Sequence, residues 1–366
     1  MFRHIVIQGD PITRGKSYGE QAADLIDLST EVYKKGFAEK GYAWDDVIAV
    51  GEAFADRIRL FDADMYTELQ GIAEGAGRRM GEVVALNART ELLYGAKTPP
   101  EGGHDDISGE GCTGAIALSG ATASGHVIHG QNWDWREESA DFTIVLEVLP
   151  ERGPNFITLV EAGTLARCGL NDAGLAVTGN FLKATNEVAR NGIPAPFIRR
   201  KILMAENFHD GLSAVIGSER SFSINVMVSH GDGEAVNFET TPEKLFWLRA
   251  ENDLIVHSNH FLSQGAIATY QDMALQVTPD TLYRDVRVRR SLETRLGRLT
   301  IDDFKEAFAD KWGAPYSVCR SPAKGPGGDS SATLATVIMD VTAGEMFVAS
   351  KPYDKPQFQS FSLFNQ

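Results

Sequence analysis

Over its first hundred residues the chain repeats apolar side chains at spacings of three and four. Between Arg14 and Lys40, Tyr18, Ala22, Leu25, Ile26, Tyr33 and Phe37 form one stripe with acids and lysines between them, which predicts an amphipathic helix. Residues 45–61 predict a second helix through Val47, Ile48, Phe54 and Ile58. Residues 62–75 predict a third through Met65, Leu69 and Ile72. The pattern stops at residues 98–109, TPPEGGHDDISG, whose prolines, glycines and acids carry no periodicity and mark a linker.

Beyond Gly111 short apolar runs replace the helical stripes. Residues 112–118 and 126–133 predict two strands joined as a hairpin through SGATASG. Further strands are predicted at 142–149, 155–161, 175–180, 222–229, 233–239, 245–249, 254–258, 332–340 and 345–350. Helices interrupt at 194–206, at about 281–296 and at 301–309, the last opening with Thr300 three residues before Asp303 as in a capping box. Strands and helices gathered in blocks imply an α+β fold with a largely antiparallel sheet system.

The chain has 366 residues, 43% of them apolar and 23% charged, which fits a folded globular protein and excludes a disordered one. Its net charge of −15 repels phosphate backbones and anionic lipid, so nucleic-acid and membrane-surface partners are not expected. No apolar run approaches the roughly 18 residues of a membrane span. The opening MFRHIVIQGDPITRG lacks a charged-then-apolar signal region, so a cytoplasmic location is expected. Three cysteines are too few for a disulfide framework, which turns attention to their chemistry. No GxxxxGK[ST] or GxGxxG motif precedes a helix, so no cofactor is expected. His126 with His129, and His257 with His260, are spaced i and i+3 on strands and point to opposite faces, so no metal site is expected either.

Four short stretches carry candidate chemistry. Cys112 follows Gly111 where the linker becomes a strand; this position suits an exposed nucleophile, and equally a small buried thiol at a strand start. Cys168 and Cys319 sit in or beside strands and are poorer candidates. In Gln131-Asn132-Trp133-Asp134-Trp135, hairpin pairing would bring Asp134 beside Cys112, where a carboxylate can orient an amine; a turn aspartate between core tryptophans is the alternative. Asn259, in His257-Ser258-Asn259-His260, is a neutral amide at a strand end, suited to donate to an oxyanion or simply to a turn. Arg320, in Ser317-Val318-Cys319-Arg320, can clamp a carboxylate, hold the nucleophile's surroundings, or face solvent. The aromatic stretches around Trp133 and Trp135, Asn180 and Phe181, and residues 194–197 are candidate pocket walls.

Taken in order, Glu110-Gly111-Cys112-Thr113, Gln131-Asn132-Trp133-Asp134, His257-Ser258-Asn259-His260 and Ser317-Val318-Cys319-Arg320 resemble the isopenicillin N (acyl-CoA:6-aminopenicillanate) acyltransferase family of N-terminal nucleophile hydrolases. Asp10-Pro11 with Gly15 and Gly19, Glu68-Leu69 with Gly71-Ile72-Ala73, and Asn87, Arg89 and Glu91 resemble that family's helical pro-region, so the likeness spans nearly the whole chain.

The resemblance implies a four-layer αββα sandwich and a precursor that cuts itself between Gly111 and Cys112. Residues 1–111 would become a small subunit that stays bound to the catalytic region, 112–366. Cys112 would be nucleophile and, through its freed amine, base; Asp134 would orient the amine, Asn259 would donate to the oxyanion, and Arg320 would support the site. An α-amine with a pKa near 8 can take the proton of its own thiol. An acyl-cysteine can be resolved by water or by an amine. The acidic balance of the chain does not help recruit an anionic thioester, so hydrolysis of a small amide or N-acyl amine is the first expectation and acyl transfer the second. An uncleaved, non-catalytic binding relative is the third. The oligomeric state is left open, a homo-oligomer included.

Overall fold

The structure is a computed structural model that describes residues 1–95, 111–185, 192–324 and 330–364. The linker expected at 98–109 lies outside the described residues. The chain begins with a strand, β1 (Arg3–Gly9), and continues into six helices: α1 (Pro11–Gln21), α2 (Ala23–Glu39), α3 (Trp44–Phe61), α4 (Ala63–Gly75), α5 (Met80–Asn87) and α6 (Arg89–Gly95). The single helix expected from Arg14 to Lys40 is therefore two, broken at Ala22, whose N–H still bonds back to the Tyr18 carbonyl. Asp10 caps α1 by accepting from the Thr13 N–H, and Pro11 fits the first turn, where no intrahelical donor is needed. Gly15 and Gly19 let α1 cross α4 at close range: a Cβ on either would lie within 2.4 Å of the Glu68 or Ile72 carbonyl oxygen.

The strands of the second part are β2 (Gly111–Ala117), β3 (Ile128–Arg136), β4 (Thr143–Pro150), β5 (Phe156–Glu161), β6 (Cys168–Asn171) and β7 (Leu175–Phe181). Two helices follow, α7 (Ala195–Leu203) and α8 (Phe208–Ile216), then β8 (Ile224–His230), β9 (Glu234–Thr240), β10 (Leu245–Leu248) and β11 (Leu254–His257). Helices α9 (Gln264–Thr269), α10 (Thr281–Glu293) and α11 (Ile301–Phe308) precede β12 (Ala323–Lys324), β13 (Ser330–Asp340), β14 (Glu345–Ser350) and β15 (Phe358–Ser362). Thr300 and Asp303 form the capping box expected at the start of α11.

Two sheets result. One has eight strands in the order β1-β4-β5-β6-β7-β8-β9-β10, antiparallel except for the parallel pair β1–β4. The other has the order β11-β2-β3-β13-β14-β15, with β12 attached to β13. The continuous burial of β2, β5, β6 and β7 reflects cover on both faces. One core joins the sheets to the N-terminal helices, with Ile26, Tyr33, Leu69 and Leu86 in the same cluster as Trp135, Ile144 and Phe156. A second cluster packs Val288, Leu292, Phe304 and Phe308 of α10 and α11 onto Ala115, Ile128 and Ile338. The layers are helices, sheet, sheet, helices, the αββα arrangement that the family resemblance implies. Residues 1–95 supply an edge strand and most of one outer layer. No helix among the described residues is long and apolar enough to cross a membrane.

Candidate active site

The hairpin of β2 and β3 sets the site. Its register places Cys112 opposite Trp133 and Gly111 opposite Asp134. Cys112 is 4% exposed, and it lines a cavity between the start of β2 and the N-terminal end of α7, with about 60 Å³ open to the centres of water molecules. Among the described residues no other cysteine lines it. Burial pushes the Cys168 thiol up to about 11 and the Cys319 thiol up to about 12, so both are inert at neutral pH.

Every polar group of Cys112 is held. Its backbone N–H donates to Asn259 Oδ1 at 2.8 Å. Its carbonyl accepts from Arg284 Nη1 at 2.7 Å. Its Sγ accepts from Arg167 Nη2 at 3.3 Å, and the Arg167 guanidinium lies 4.0 Å from the centre of the Trp133 ring. A cation over an aromatic face is held in place while its nitrogens stay available.

A buried charge network supports this end of the sheet. Arg284 donates to Thr113 Oγ1, Asn259 Oδ1 and Asp280 Oδ2, and Arg320 also donates to Asp280. Burial opposes ionisation of Asp280, yet the two guanidiniums outweigh it and hold its carboxyl below the usual range. Asp134 lies 3.2 Å from Arg320 Nε and accepts from Thr333 Oγ1 at 2.6 Å, while its Oδ2 has no hydrogen-bond partner. Burial raises the Asp134 pKa, and the Arg320 and Arg284 charges act against that rise.

Asn259 is fixed from both sides. Its Oδ1 faces the Cys112 and Arg284 donors, its Nδ2 donates to the Phe181 carbonyl at 3.0 Å, and its own N–H donates to Thr281 Oγ1. Glu239 anchors the same segment, accepting from His257 Nε2, Leu262 N and Ser263 N.

The structure thus brings Gly111, Cys112, Asp134, Asn259 and Arg320 to one place. Trp133, Trp135 and Phe181 line the cavity as expected, together with Ala195 and Pro196 of α7. Asn180 does not. It is fully buried, taking a hydrogen bond from Gln131 and giving its own to Asn225 and the His257 carbonyl, so it ties β7 to β3 and β8. Sequence reasoning missed Arg284, Asp280, Arg167 and Arg199. The i, i+4 pair Asp280 and Arg284 at the start of α10 was the available signal. The arginines of the cavity also alter the electrostatic picture: the chain is acidic overall, yet Arg89, Arg167, Arg199 and Arg220 all line this one space.

Residues 121–351 match the family model described as acyl-coenzyme A:6-aminopenicillanic acid acyl-transferase. The chain belongs to that family. A curated relative from Emericella nidulans, the acyl-coenzyme A:6-aminopenicillanic-acid-acyltransferase 40 kDa form, is 29% identical over 352 residues, covering 92% of this chain and 89% of that protein. Among solved structures, a mutant of conjugated bile acid hydrolase from Clostridium perfringens superposes with a TM-score of 0.51 at 14% identity, covering 69% of this chain and 93% of that one. This likeness is one of fold, the four-layer αββα sandwich. Cys112 itself lies nine residues upstream of the family-matched stretch.

Proposed function

We propose that the protein is a self-processing amidohydrolase with an N-terminal cysteine, acting on a small amide or N-acyl amine in the cytoplasm. Cys112 Sγ attacks the Gly111 carbonyl carbon, the C–N bond breaks as the acyl group passes from nitrogen to sulfur and frees the Cys112 α-amine, and water cleaves the thioester to give the Gly111 carboxylate and the Cys112 thiol. That amine takes the thiol proton; the thiolate attacks the substrate carbonyl, the C–N bond breaks, and the amine leaves with the proton. Water then releases the acyl group. The observation that carries the reading is the grip on Cys112. Its nitrogen and carbonyl are pinned by Asn259 and Arg284 while its thiol opens onto the cavity.

The remaining residues fit supporting roles. Asp134 Oδ2, beside Gly111 and ion-paired with Arg320 Nε at 3.2 Å but without a hydrogen bond, is positioned to accept from the freed amine. Asn259 Nδ2 spends one hydrogen on Phe181, leaving the second for an oxyanion. Residues 1–111 and 112–366 would remain associated through β1–β4 pairing and the shared core. No disulfide joins the three cysteines among the described residues, which suits a cytoplasmic setting.

Acyl transfer is the second reading. The arginines in the cavity favour it, because they remove the objection that an acidic chain would repel an anionic donor. Denaturing gels and intact mass test the first step: two fragments are expected from the wild type and one full-length chain from Cys112→Ala. Amide hydrolysis by a protein whose backbone is intact across Gly111–Cys112 overturns the reading. Adding an amine acceptor separates the two outcomes, since only a transferase converts it to a new amide.

A further inference from the structure

Charge in the cavity does not balance. Arg89 pairs with Glu161, and Arg220 gives its hydrogens to the carbonyls of Val215, Ser218 and Thr241. Arg199 has no such arrangement. It is 7% exposed, its Nε lacks a hydrogen-bond partner, and no carboxylate among the described residues forms an ion pair with it. Its head lies against Gly179, where a Cβ would come within 2.7 Å of Nη2, so β7 makes room for a guanidinium at this point. Burial and the like charge of Arg167 pull its pKa down to about 10. Arg167 engages the Cys112 thiol and the Trp133 ring and has an unpartnered Nε of its own. The acids of the cavity do not cancel these charges: Asp134 is set against Arg320, and Glu91, which accepts from the Ala195 N–H and whose charge bears on both Arg89 and Arg199, forms no ion pair with Arg199 and is one carboxylate against several arginines.

We infer that Arg199, with Arg167 beside it, is a carboxylate-binding subsite, so that the substrate of the proposed reaction is an anionic amide. A buried guanidinium fork with uncommitted donors matches a carboxylate in shape and charge, and pairing removes the desolvation that disfavours its charged form. Phe181, Ile193, Pro196, Phe222 and Ile224 line the same cavity and suit a short hydrocarbon segment between that carboxylate and the scissile bond. The carboxylate belongs either to the acyl half, as in a dicarboxylic acid monoamide, or to the amine half, as in an N-acyl amino acid. The word substrate rests on the hydrolase reading; the anion site does not.

Two pairs of compounds separate the sources: glutaryl against valeryl p-nitroanilide, and N-valerylglycine against N-ethylvaleramide. The carboxylate member of one pair is expected to show kcat/KM about 10- to 100-fold above its neutral partner, and Arg199→Gln to bring that ratio near one. A general folding defect would lower both members together and leave the ratio alone. Equal rates within both pairs, or a ratio unmoved by Arg199→Gln, overturn the proposal. Glutarate binding gives the independent readout: it should raise the melting temperature of the wild type and not of Arg199→Gln. If that variant fails to fold, wild-type Cys112 decides, since glutarate and not valeramide should slow its alkylation by iodoacetamide. A protein that cleaves neutral amides and ignores glutarate loses the anion site and keeps the hydrolase reading. One that binds glutarate and cleaves no amide does the reverse.

Discussion

Gly111 lies directly across the β2–β3 pair from Asp134, and a Cβ on it would stand 2.7 Å from Asp134 Oδ2 and 2.9 Å from Arg320 Cζ. Neither partner can swing away, because Asp134 is tied to Thr333 and Arg320 to Asp280 in the buried interior. Overpacking of this kind costs about 1–3 kcal/mol. Gly111→Ala is therefore expected to slow the proposed self-cleavage by roughly tenfold or more, read from a gel time course of freshly made protein. An unchanged rate would remove this contact from the processing step.

Tyr33 joins the N-terminal layer to the two sheets through its hydroxyl. That oxygen donates to Glu161 and accepts from Arg89 Nε at 2.7 Å and Trp135 Nε1 at 2.9 Å. Tyr33→Phe strands two buried donors, so a loss of about 2–4 kcal/mol is expected in urea unfolding, with the native circular dichroism retained. A loss below about 0.5 kcal/mol would show that water replaces the hydroxyl.

The three thiols should react unequally. Cys168 and Cys319 are buried and held protonated by their surroundings, whereas Cys112 opens onto a cavity with an arginine at its sulfur. Iodoacetamide at about pH 7.5 should label Cys112 alone in the native protein and all three cysteines in urea, as followed by peptide mass. Native labelling of Cys168 at a comparable rate would contradict the packing of β6.

Stability should depend on pH through His129. Burial lowers its pKa from 6.5 to about 3, with the ring held between Thr178 Oγ1 and Ser229 Oγ. The unfolded chain takes up this proton first as pH falls below about 6.5, so the stability tied to the neutral ring is full above that value. It is lost as pH drops toward 3, at about 1.4 kcal/mol per unit. Buried carboxyls with raised pKa values, Asp134 and Glu91 among them, act in the opposite sense, so the difference between proteins is the clean measure. His129→Asn should lose less stability than the wild type between about pH 7 and pH 5 in urea unfolding; equal losses would mean that His129 is charged in the fold.

Local pattern carried much of this molecule. The stripes of α3 and α4 and the alternation of sheet and helix blocks are visible along the chain, and pairing β2 with β3 from the sequence is enough to bring Asp134 next to the start of β2. What is not visible depends on distant partners. Strand β1 is seven residues with an alternating face, and it exists as a strand because β4, far along the chain, supplies its hydrogen bonds. Asn180 reads as a pocket residue beside Phe181, but the pleat turns consecutive side chains to opposite faces, and Asn180 takes the interior one. Arg167, Arg199 and Arg284 have no shared motif, and an isolated arginine in a sequence reads as a solvated side chain until the fold buries it.

The parallel pairing of β1 with β4 makes the first residues of the chain a structural commitment. A polypeptide severed at Gly111 would have one piece ending its own sheet on a strand borrowed from the other. Assembly would be unimolecular before scission and bimolecular afterwards, so a severed enzyme that is denatured and diluted should recover far more slowly than an intact precursor. The order of events, folding first and scission second, would then act as a ratchet.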